Sequence, residues 1–263
     1  MDLERITKQT IDIAKTTGAF IKNNSGKLRE DEIEKKGIHD FVTEIDKESE
    51  KKIIDGLRKI FPEAGFIAEE QTNTSKGKQY NWIIDPLDGT TNYIHNQPPF
   101  AVSIALQENS ETILGVIYEI GHDEVFYAYK NSPAFLNGKK IQVSQAKKLN
   151  ELLVATGFPF RNFQRLDNFM ESLRYFFVNT QGVRRLGSAA TDLAYVACGR
   201  FDAFYEYNLS PWDVAAGAFI VERAGGIVAD FNGKDNYIFG KEIIATNHNI
   251  YNIFLDAVQK HML

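Results

Sequence analysis

Apolar positions near the start of the chain recur at helical spacing. Leu3, Ile6, Ile13, Ala14, Phe20 and Ile21 predict an amphipathic helix over residues 3–23, ended by Asn23-Asn24-Ser25-Gly26. Residues 27–37 are densely charged, with only Leu28 and Ile33 apolar, which predicts a mobile solvated loop or a short hairpin. Beyond Asp40-Phe41-Val42-Thr43, the inward positions Ile45, Ile53, Ile54, Leu57 and Ile60 mark a second helix, stopped by Phe61-Pro62. Thr43 and Asp46 have the spacing of a capping box at its start. Phe66-Ile67-Ala68 reads as a short buried strand that delivers Glu69 and Glu70 at its end, and residues 71–79 form a polar loop.

The pattern then turns to strands. Trp82-Ile83-Ile84-Asp85 is a buried strand that Pro86, lacking an N–H, should stop. Residues 100–106, 112–118 and 124–129 are three strands at hairpin spacing, and Asn137-Gly138 is a tight-turn signal between two more. Together they predict a largely antiparallel sheet packed on the first two helices. From Leu152 onward strands and helices alternate, with strands at 152–156, 182–186 and 202–207, two shorter ones near 227 and 243, and helices over 163–179, from Ser188 to Gly199, from Ser210 to about Ala224 and over 248–261. The expected organisation is an N-terminal α+β part, residues 1–147, and a C-terminal α/β part, residues 148–263, forming one structural unit.

Composition narrows the function classes. At 263 residues the chain buries a large core without staples, and 43% hydrophobic with 25% charged residues is ordinary for a globular protein. The net charge of −5 argues against non-specific nucleic-acid binding, with Arg184-Arg185 the obvious local basic pair. Cys198 is the single cysteine, so no intramolecular disulfide forms, as suits a reducing compartment. Its apolar helical setting suggests a packing role. The opening Met1-Asp2-Leu3-Glu4-Arg5 does not resemble a signal peptide, and no apolar run approaches the ~20 residues of a membrane span. A cytoplasmic protein is expected. The histidines at 39, 95, 122, 248 and 261 have no paired spacing for zinc.

Candidate chemistry centres on Asp85-Pro86-Leu87-Asp88-Gly89-Thr90-Thr91-Asn92. Two carboxylates on one turn repel unless a cation lies between them or one holds a proton, and hard divalent cations favour such oxygen ligands. The hydroxyls and amides that follow Gly89 suit a phosphate. Metal and phosphate together point to metal-assisted phosphate-ester hydrolysis. The competing reading is an Asp-Pro turn followed by an Asx turn. Ser210-Pro211-Trp212-Asp213 has the form of a helix cap, and Asp213 can also be a third carboxylate of the same site, since one carboxylate serves both roles. Strand alternation sends Glu69 and Glu70 to opposite faces, and spacing alone leaves open which faces a site. Gly187-Ser188-Ala189 is either a serine cap or a donor set for a phosphate or sugar hydroxyl, and Glu206 either faces solvent or ends in the site.

The first motif, with Trp212-Asp213-Val214-Ala215-Ala216-Gly217 and Ala224-Gly225-Gly226, closely resembles the inositol monophosphatase family, and the likeness extends through Phe66–Glu70 and Gly187–Ala189 over essentially the whole chain. The resemblance implies a sugar-phosphatase fold similar to fructose bisphosphatases, an α+β protein with α/β/α/β/α layers. It implies a lithium-sensitive, often homodimeric phosphomonoesterase using two or three Mg²⁺ ions on a small-molecule phosphate ester. By motif, Glu69, Asp85, Asp88, Asp213 and the Leu87 carbonyl resemble the metal ligands, with Glu69 preferred to Glu70. Thr90 and Asp46 match residues that orient the attacking water. Gly89, Thr90 and Thr91 would hold the phosphate, Gly187, Ser188, Ala189 and Glu206 would meet the organic moiety, and Lys35 sits where the family has a mobile loop. An ionised, acceptor-only Glu206 would favour neighbouring hydroxyls and repel a second phosphate. Thr156-Gly157-Phe158-Pro159-Phe160 resembles the bacterial branch, and Thr91 replaces the lysine of relatives acting on 3′-phosphoadenosine phosphates or histidinol phosphate. Alternatives implied by the resemblance are fructose-1,6-bisphosphatase or 3′-phosphoadenosine 5′-phosphate phosphatase activity, or a non-enzymatic role in ribosomal RNA transcription through RNA polymerase.

Overall fold

Strand pleating decides how this chain is layered. The structure, a computed structural model, describes residues 1–27, 33–37, 40–72, 75–159 and 162–263. In its first half α1 (Leu3–Asn24) precedes a hairpin of β1 (Ile33–Gly37) and β2 (Asp40–Thr43), then α2 (Glu44–Ile60), β3 (Gly65–Ala68), β4 (Tyr80–Asp88) and a one-turn α3 (Thr90–Ile94). The antiparallel run β5 (Ala101–Glu108), β6 (Glu111–Glu119), β7 (Glu124–Tyr129), β8 (Phe135–Leu136) and β9 (Lys139–Lys140) completes a sheet in the order β3-β4-β5-β6-β7-β8-β9. β3 and β4 run parallel in it, and β4 to β9 pair antiparallel. The second half contains β10 (Leu153–Thr156), α4 (Leu166–Asn179), β11 (Gly182–Arg184), α5 (Ala189–Ala197), β12 (Ala203–Tyr207), α6 (Pro211–Arg223), β13 (Gly226–Ala229), β14 (Glu242–Asn247) and α7 (Tyr251–Met262). Its five strands are ordered β11-β10-β12-β14-β13.

Alternation along β4 sends Trp82 and Ile84 into a core shared with α1 and α2, and Ile83 into a second core shared with α5 and α6. The same α5–α6 layer packs on the five-stranded sheet, whose other face carries Val154, Ala203, Tyr205 and Ile244 against α4 and α7. The result is the α/β/α/β/α stack, a mixed α+β layered fold. Small residues set the central spacing. Ala101, Ser103, Ala105 and Gly115 face α6, and a Cβ on Gly115 would lie 2.8 Å from the Ala216 carbonyl oxygen. Ser103 Oγ donates to the Trp212 carbonyl at 3.2 Å. Close approach of α6 therefore brings its N-terminus, and Asp213, to the carboxyl end of β4.

Several boundaries differ from expectation. β4 does not end at Asp85: pairing with β5 resumes at Asp88↔Ala101 after an irregularity between Asp85 and Asp88. Pro86 is tolerated because it falls in this bulge, beyond the last β3 partner pair at Ala68↔Ile84. α4 begins at Leu166 rather than 163, and β11 stops at Arg184 rather than 186. α7 begins at Tyr251 rather than 248, because Asn247 Oδ1 accepts from the Asn249 and Ile250 amides and holds the chain in a turn. Within the segment foreseen as a loop or short hairpin, the Ile33–Gly37 backbone is a strand, and its partner Asp40–Thr43 lies beyond that segment, where only a lead into α2 was expected. The expectation for the Lys35 side chain, and that for Phe160, lie outside what is described.

Candidate active site

β4, α5, α6 and β12 meet at a cleft of about 320 Å³. Each supplies a carboxyl group for a local reason. Asp85 precedes the bulge and is 1% exposed, and its Oδ1 accepts the Leu87 N–H at 3.0 Å, folding the acid back over its own turn. Asp88 reaches across to the start of α5, where its Oδ2 accepts from Ser188 Oγ at 2.6 Å and from Ala190 N at 2.8 Å. The first turn of a helix leaves such amides unpaired, so a carboxylate suits them. Asp213 closes the α6 capping box, accepting the Ser210 N–H at 2.7 Å through Oδ2. The cap is formed, and the same residue lines the cleft.

One oxygen from each of Asp85, Asp88 and Asp213 lies within 4.8 Å of the others. That is an all-oxygen donor set of the kind hard divalent cations take, and three carboxylates so close repel unless a cation or protons lie among them. Burial and mutual repulsion act on their pKa values. Asp85 is raised well above the usual carboxylate range by burial and by the charges of Glu69, Asp88 and Asp213. Asp88 is pushed up to about 6 by burial, against the hydrogen bonds from α5 that pull it down. The residues present fit a divalent metal.

Beside the cluster Gly89 adopts φ +92°, a conformation that favours glycine, and a Cβ there would lie 3.1 Å from the Pro99 carbonyl oxygen. This sharp turn starts α3 and sets Thr90 over Asp46. Thr90 Oγ1 lies 3.0 Å from Asp46 Oδ1 and 3.1 Å from the Leu87 carbonyl oxygen. Asp46, 1% exposed, uses its other oxygen for the capping box of α2, accepting from Thr43 N at 2.8 Å and Thr43 Oγ1 at 2.6 Å. It stands behind the cleft wall and not in it. Glu69 lines the cleft. The backbone just beyond is gripped by the buried Glu50, whose carboxylate accepts the Glu70 and Thr72 amides at 2.7 Å each and Thr72 Oγ1 at 2.6 Å.

At the far wall, pleating of β12 turns Glu206 to the same side as Phe204, toward α5. A Cβ on Gly157 would come 1.9 Å from Glu206 Oε1, so only glycine lets the segment after β10 pass the carboxyl group. Burial, with the charges of Asp213 and Asp88, pushes Glu206 up to about 8. That shift makes a protonated form, which donates as well as accepts, accessible near neutral pH, whereas the acceptor-only reading applies to the ionised form. Ser188 is 1% exposed, and its hydroxyl donates to Asp88 Oδ2 with Thr191 Oγ1 at 2.7 Å, so at the cleft wall it braces a carboxylate.

The cleft thus brings together Glu69, Asp85, Leu87, Asp88, Gly89, Thr90, Thr91, Gly187, Ser188, Ala189, Glu206 and Asp213, with Asp46 one contact behind. It also holds Gly157, Phe158 and Pro159 of the segment that resembles the bacterial branch, and three residues that sequence reasoning did not name as site residues: Arg185, Leu209 and Asp192. Arg185 lies 5.6 Å above the Phe158 ring and lowers the pKa of Asp88, Asp192 and Glu206. Asp192 had a signal: it is the single acid of the otherwise uncharged α5 segment Ala189–Ala197.

Comparison with known proteins adds to this geometry. Residues 2–263 match the model of the Inositol monophosphatase family. A Pseudomonas aeruginosa protein named Nus factor SuhB is 41% identical over 254 residues, 95% of this chain and 94% of that protein. Nus factor SuhB of Escherichia coli K12 is 42% identical over 92% of this chain and 91% of its own. Among solved structures, the extragenic suppressor protein suhB of Bartonella henselae superposes with a TM-score of 0.93 at 38% identity, covering 97% of this chain and 99% of that one. The Thermotoga maritima IMPase gives a TM-score of 0.87 at 37% identity over 95% of each chain.

Proposed function

This chain belongs to the inositol monophosphatase family, and on that footing we propose that it is a Mg²⁺-dependent phosphomonoesterase acting on myo-inositol monophosphates and related polyol phosphates. The observation that carries the reading is the carboxylate triad Asp85, Asp88 and Asp213, with oxygens within 4.8 Å of one another in one cleft with Gly89, Thr90 and Thr91. In this reading those three acids, Glu69 and the Leu87 carbonyl hold the metal. Bound there, Mg²⁺ would supply positive charge against the phosphoryl oxygens and make a nearby water a better nucleophile.

The chain's own groups do the rest. With its hydroxyl hydrogen given to Asp46 Oδ1 at 3.0 Å, Thr90 Oγ1 keeps a lone pair that accepts one hydrogen of the attacking water and aims its oxygen at phosphorus. The Asp46–Thr43 bonds hold that relay rigid. Backbone amides around Gly89, Thr90 and Thr91 receive the phosphate. As the water oxygen bonds to phosphorus the ester P–O bond breaks, the water gives up a proton, and the departing alkoxide takes one up. No side chain need be phosphorylated, and the Cys198 thiol is pushed up by burial, which disfavours its nucleophilic form. Glu206, Ala189 and Gly187 meet the alcohol, and Ser188 acts through Asp88.

A homodimer is part of this proposal. Phe163, Leu166, Met170 and Phe177, spaced on one side of α4 and the turn before it, are 39–59% exposed, an apolar stripe of the kind partner surfaces use. Among the described residues no helix is long and apolar enough to cross a membrane, and a cytoplasmic setting is proposed with it. The relatives named Nus factor favour a second reading, a binding role in transcription by association with RNA polymerase. One panel separates these readings: phosphate release from inositol 1-phosphate, fructose 1,6-bisphosphate and 3′-phosphoadenosine 5′-phosphate at matched Mg²⁺, beside a pull-down of RNA polymerase. Either bisphosphate exceeding inositol 1-phosphate about tenfold in kcat/KM, ~1.4 kcal/mol of transition-state binding, would sink the substrate assignment. Inactivity on all three with polymerase retained would favour the second reading.

A further inference from the structure

Glu50 is a buried acid that the chemistry above does not use. It is 0% exposed and lies on the inner face of α2, one turn beyond Asp46. The bonds it accepts come from the segment after β3. Oε2 takes the Glu70 N–H at 2.7 Å, and Oε1 takes the Thr72 N–H at 2.7 Å and Thr72 Oγ1 at 2.6 Å. Between those two amides Gln71 adopts φ +52°, a left-handed conformation uncommon for a residue with a side chain, and both Gln71 and Thr72 are exposed. Burying a carboxylate is costly, so the position has a use for it. Only an acceptor with two oxygens serves both amides, because a glutamine would turn its NH₂ group on one of them.

These bonds bear on Glu69. Its own N–H donates to the Ile84 carbonyl of β4 at 3.3 Å, continuing the ladder one residue past β3. The next amide, that of Glu70, has left the ladder and goes to Glu50. Peptide units are planar, so fixing the two that meet at the Glu69 Cα fixes the direction in which its side chain leaves. β4 holds one and Glu50 the other, and Glu69 lines the cleft.

We propose that Glu50 is a positioning residue for the metal site: by binding the Glu70 and Thr72 amides it sets Glu69 to coordinate before any cation arrives. This rests on the reading of Glu69 as a metal ligand. α2 then braces two arms of the cleft from one buried face, Glu69 through Glu50, and Thr90 through Asp46, whose Oδ1 lies 3.0 Å from Thr90 Oγ1. A segment ordered in advance does not have to be ordered by the ion, which leaves more of the binding free energy for affinity. Outer partners that orient a metal ligand typically account for about 10–100-fold in affinity.

Calorimetric titration of the chelator-stripped chain with Mn²⁺, which reads affinity without turnover, tests this in wild type, Glu50→Gln, Glu69→Gln and the double variant. Mn²⁺ accepts the same carboxylate and carbonyl oxygens as Mg²⁺. Glu50→Gln should weaken Mn²⁺ about tenfold. In the Glu69→Gln background the same change should cost less than about twofold, because Glu50 acts through Glu69. Thr72→Val removes the hydroxyl bond and leaves both amide bonds, so it should stay within about twofold of wild type. If Glu50→Gln does not fold, amide hydrogen exchange in the metal-free wild type carries the test: the Glu70 and Thr72 amides should be protected without Mn²⁺ and change little when it is added. Unchanged affinity in Glu50→Gln, an equal loss in both backgrounds, an equal loss in Thr72→Val, or amides protected only with metal would overturn the proposal. Mn²⁺ bound equally well by wild type and Glu69→Gln would remove Glu69 as a ligand, and the proposal with it. A wild type that binds no Mn²⁺ would remove the metal reading itself, and this inference with it.

Discussion

Asp88→Asn separates the cost of the acid cluster from its use. Asp88 Oδ2 accepts from Ser188 Oγ at 2.6 Å and Ala190 N at 2.8 Å, and asparagine keeps both bonds by presenting its own Oδ1 there. Its amide nitrogen then faces the remaining acids as a donor. The native carboxyl has its pKa pushed from 3.8 up to about 6, chiefly by burial. The folded state therefore holds this proton more tightly than the unfolded state does. The group's stabilising contribution is complete below about pH 3.8 and is lost as pH rises through about 6. Above that, keeping Asp88 ionised without metal costs the fold at most about 3 kcal/mol, and asparagine avoids the cost. At ~2–4 °C per kcal/mol for a chain of this size, metal-free Asp88→Asn should melt roughly 3–10 °C above wild type near pH 7.5, the gap closing toward pH 4. Calorimetric melts in chelator across this pH range measure it, followed by melts and phosphate-release assays in millimolar Mg²⁺. Mg²⁺ should stabilise wild type and barely move the variant, which should lose nearly all Mg²⁺-dependent turnover. A variant less stable than wild type without metal near pH 7.5, or one that keeps most of that turnover, would refute the reasoning.

Two other substitutions divide the remaining roles. Asp213→Asn retains an acceptor for the Ser210 N–H, so its main effect should be a Mg²⁺ requirement raised roughly tenfold or more in a rate titration. A loss of about 1 kcal/mol in stability with that requirement unchanged would leave Asp213 only a cap. Glu69→Gln should abolish turnover and Glu70→Gln should reduce it mildly, because Glu69 lines the cleft while the Glu70 amide is anchored on Glu50. The reverse order in a simple rate comparison would put Glu70 at the metal.

Local physics made much of this fold legible. Helical spacing gave α1 and α2, and alternation with hairpin turns gave the antiparallel sheet, because burial on one face leaves a period in the sequence. Pro86 misled for a tertiary reason, since a bulge next to the carboxylates accommodates it and no local signal announces a bulge. Within the cleft, Asp85, Asp88 and Asp213 were readable from spacing as acids at turns and caps. Their convergence depends on how closely Gly115 lets α6 approach, which spacing does not encode. Glu206 was singled out by resemblance, yet its raised pKa reflects burial beside Asp213 and Asp88, contributed from elsewhere in the chain. The hydrogen bond from Ser188 to Asp88 was not legible because its acceptor lies 100 positions away. Asp192 was overlooked as the lone acid of an apolar helix, a pattern that invites suspicion because burying a carboxyl oxygen with no partner among the described residues is costly.

The central claim is that this carboxylate cluster makes phosphate-ester hydrolysis depend on a divalent cation. Its most direct test is the initial rate of phosphate release from inositol 1-phosphate by the chelator-stripped wild-type chain, titrated with Mg²⁺. The account predicts negligible release without the ion and a saturable rise as it is added. Release that does not depend on Mg²⁺, or none at any Mg²⁺ concentration, would contradict it.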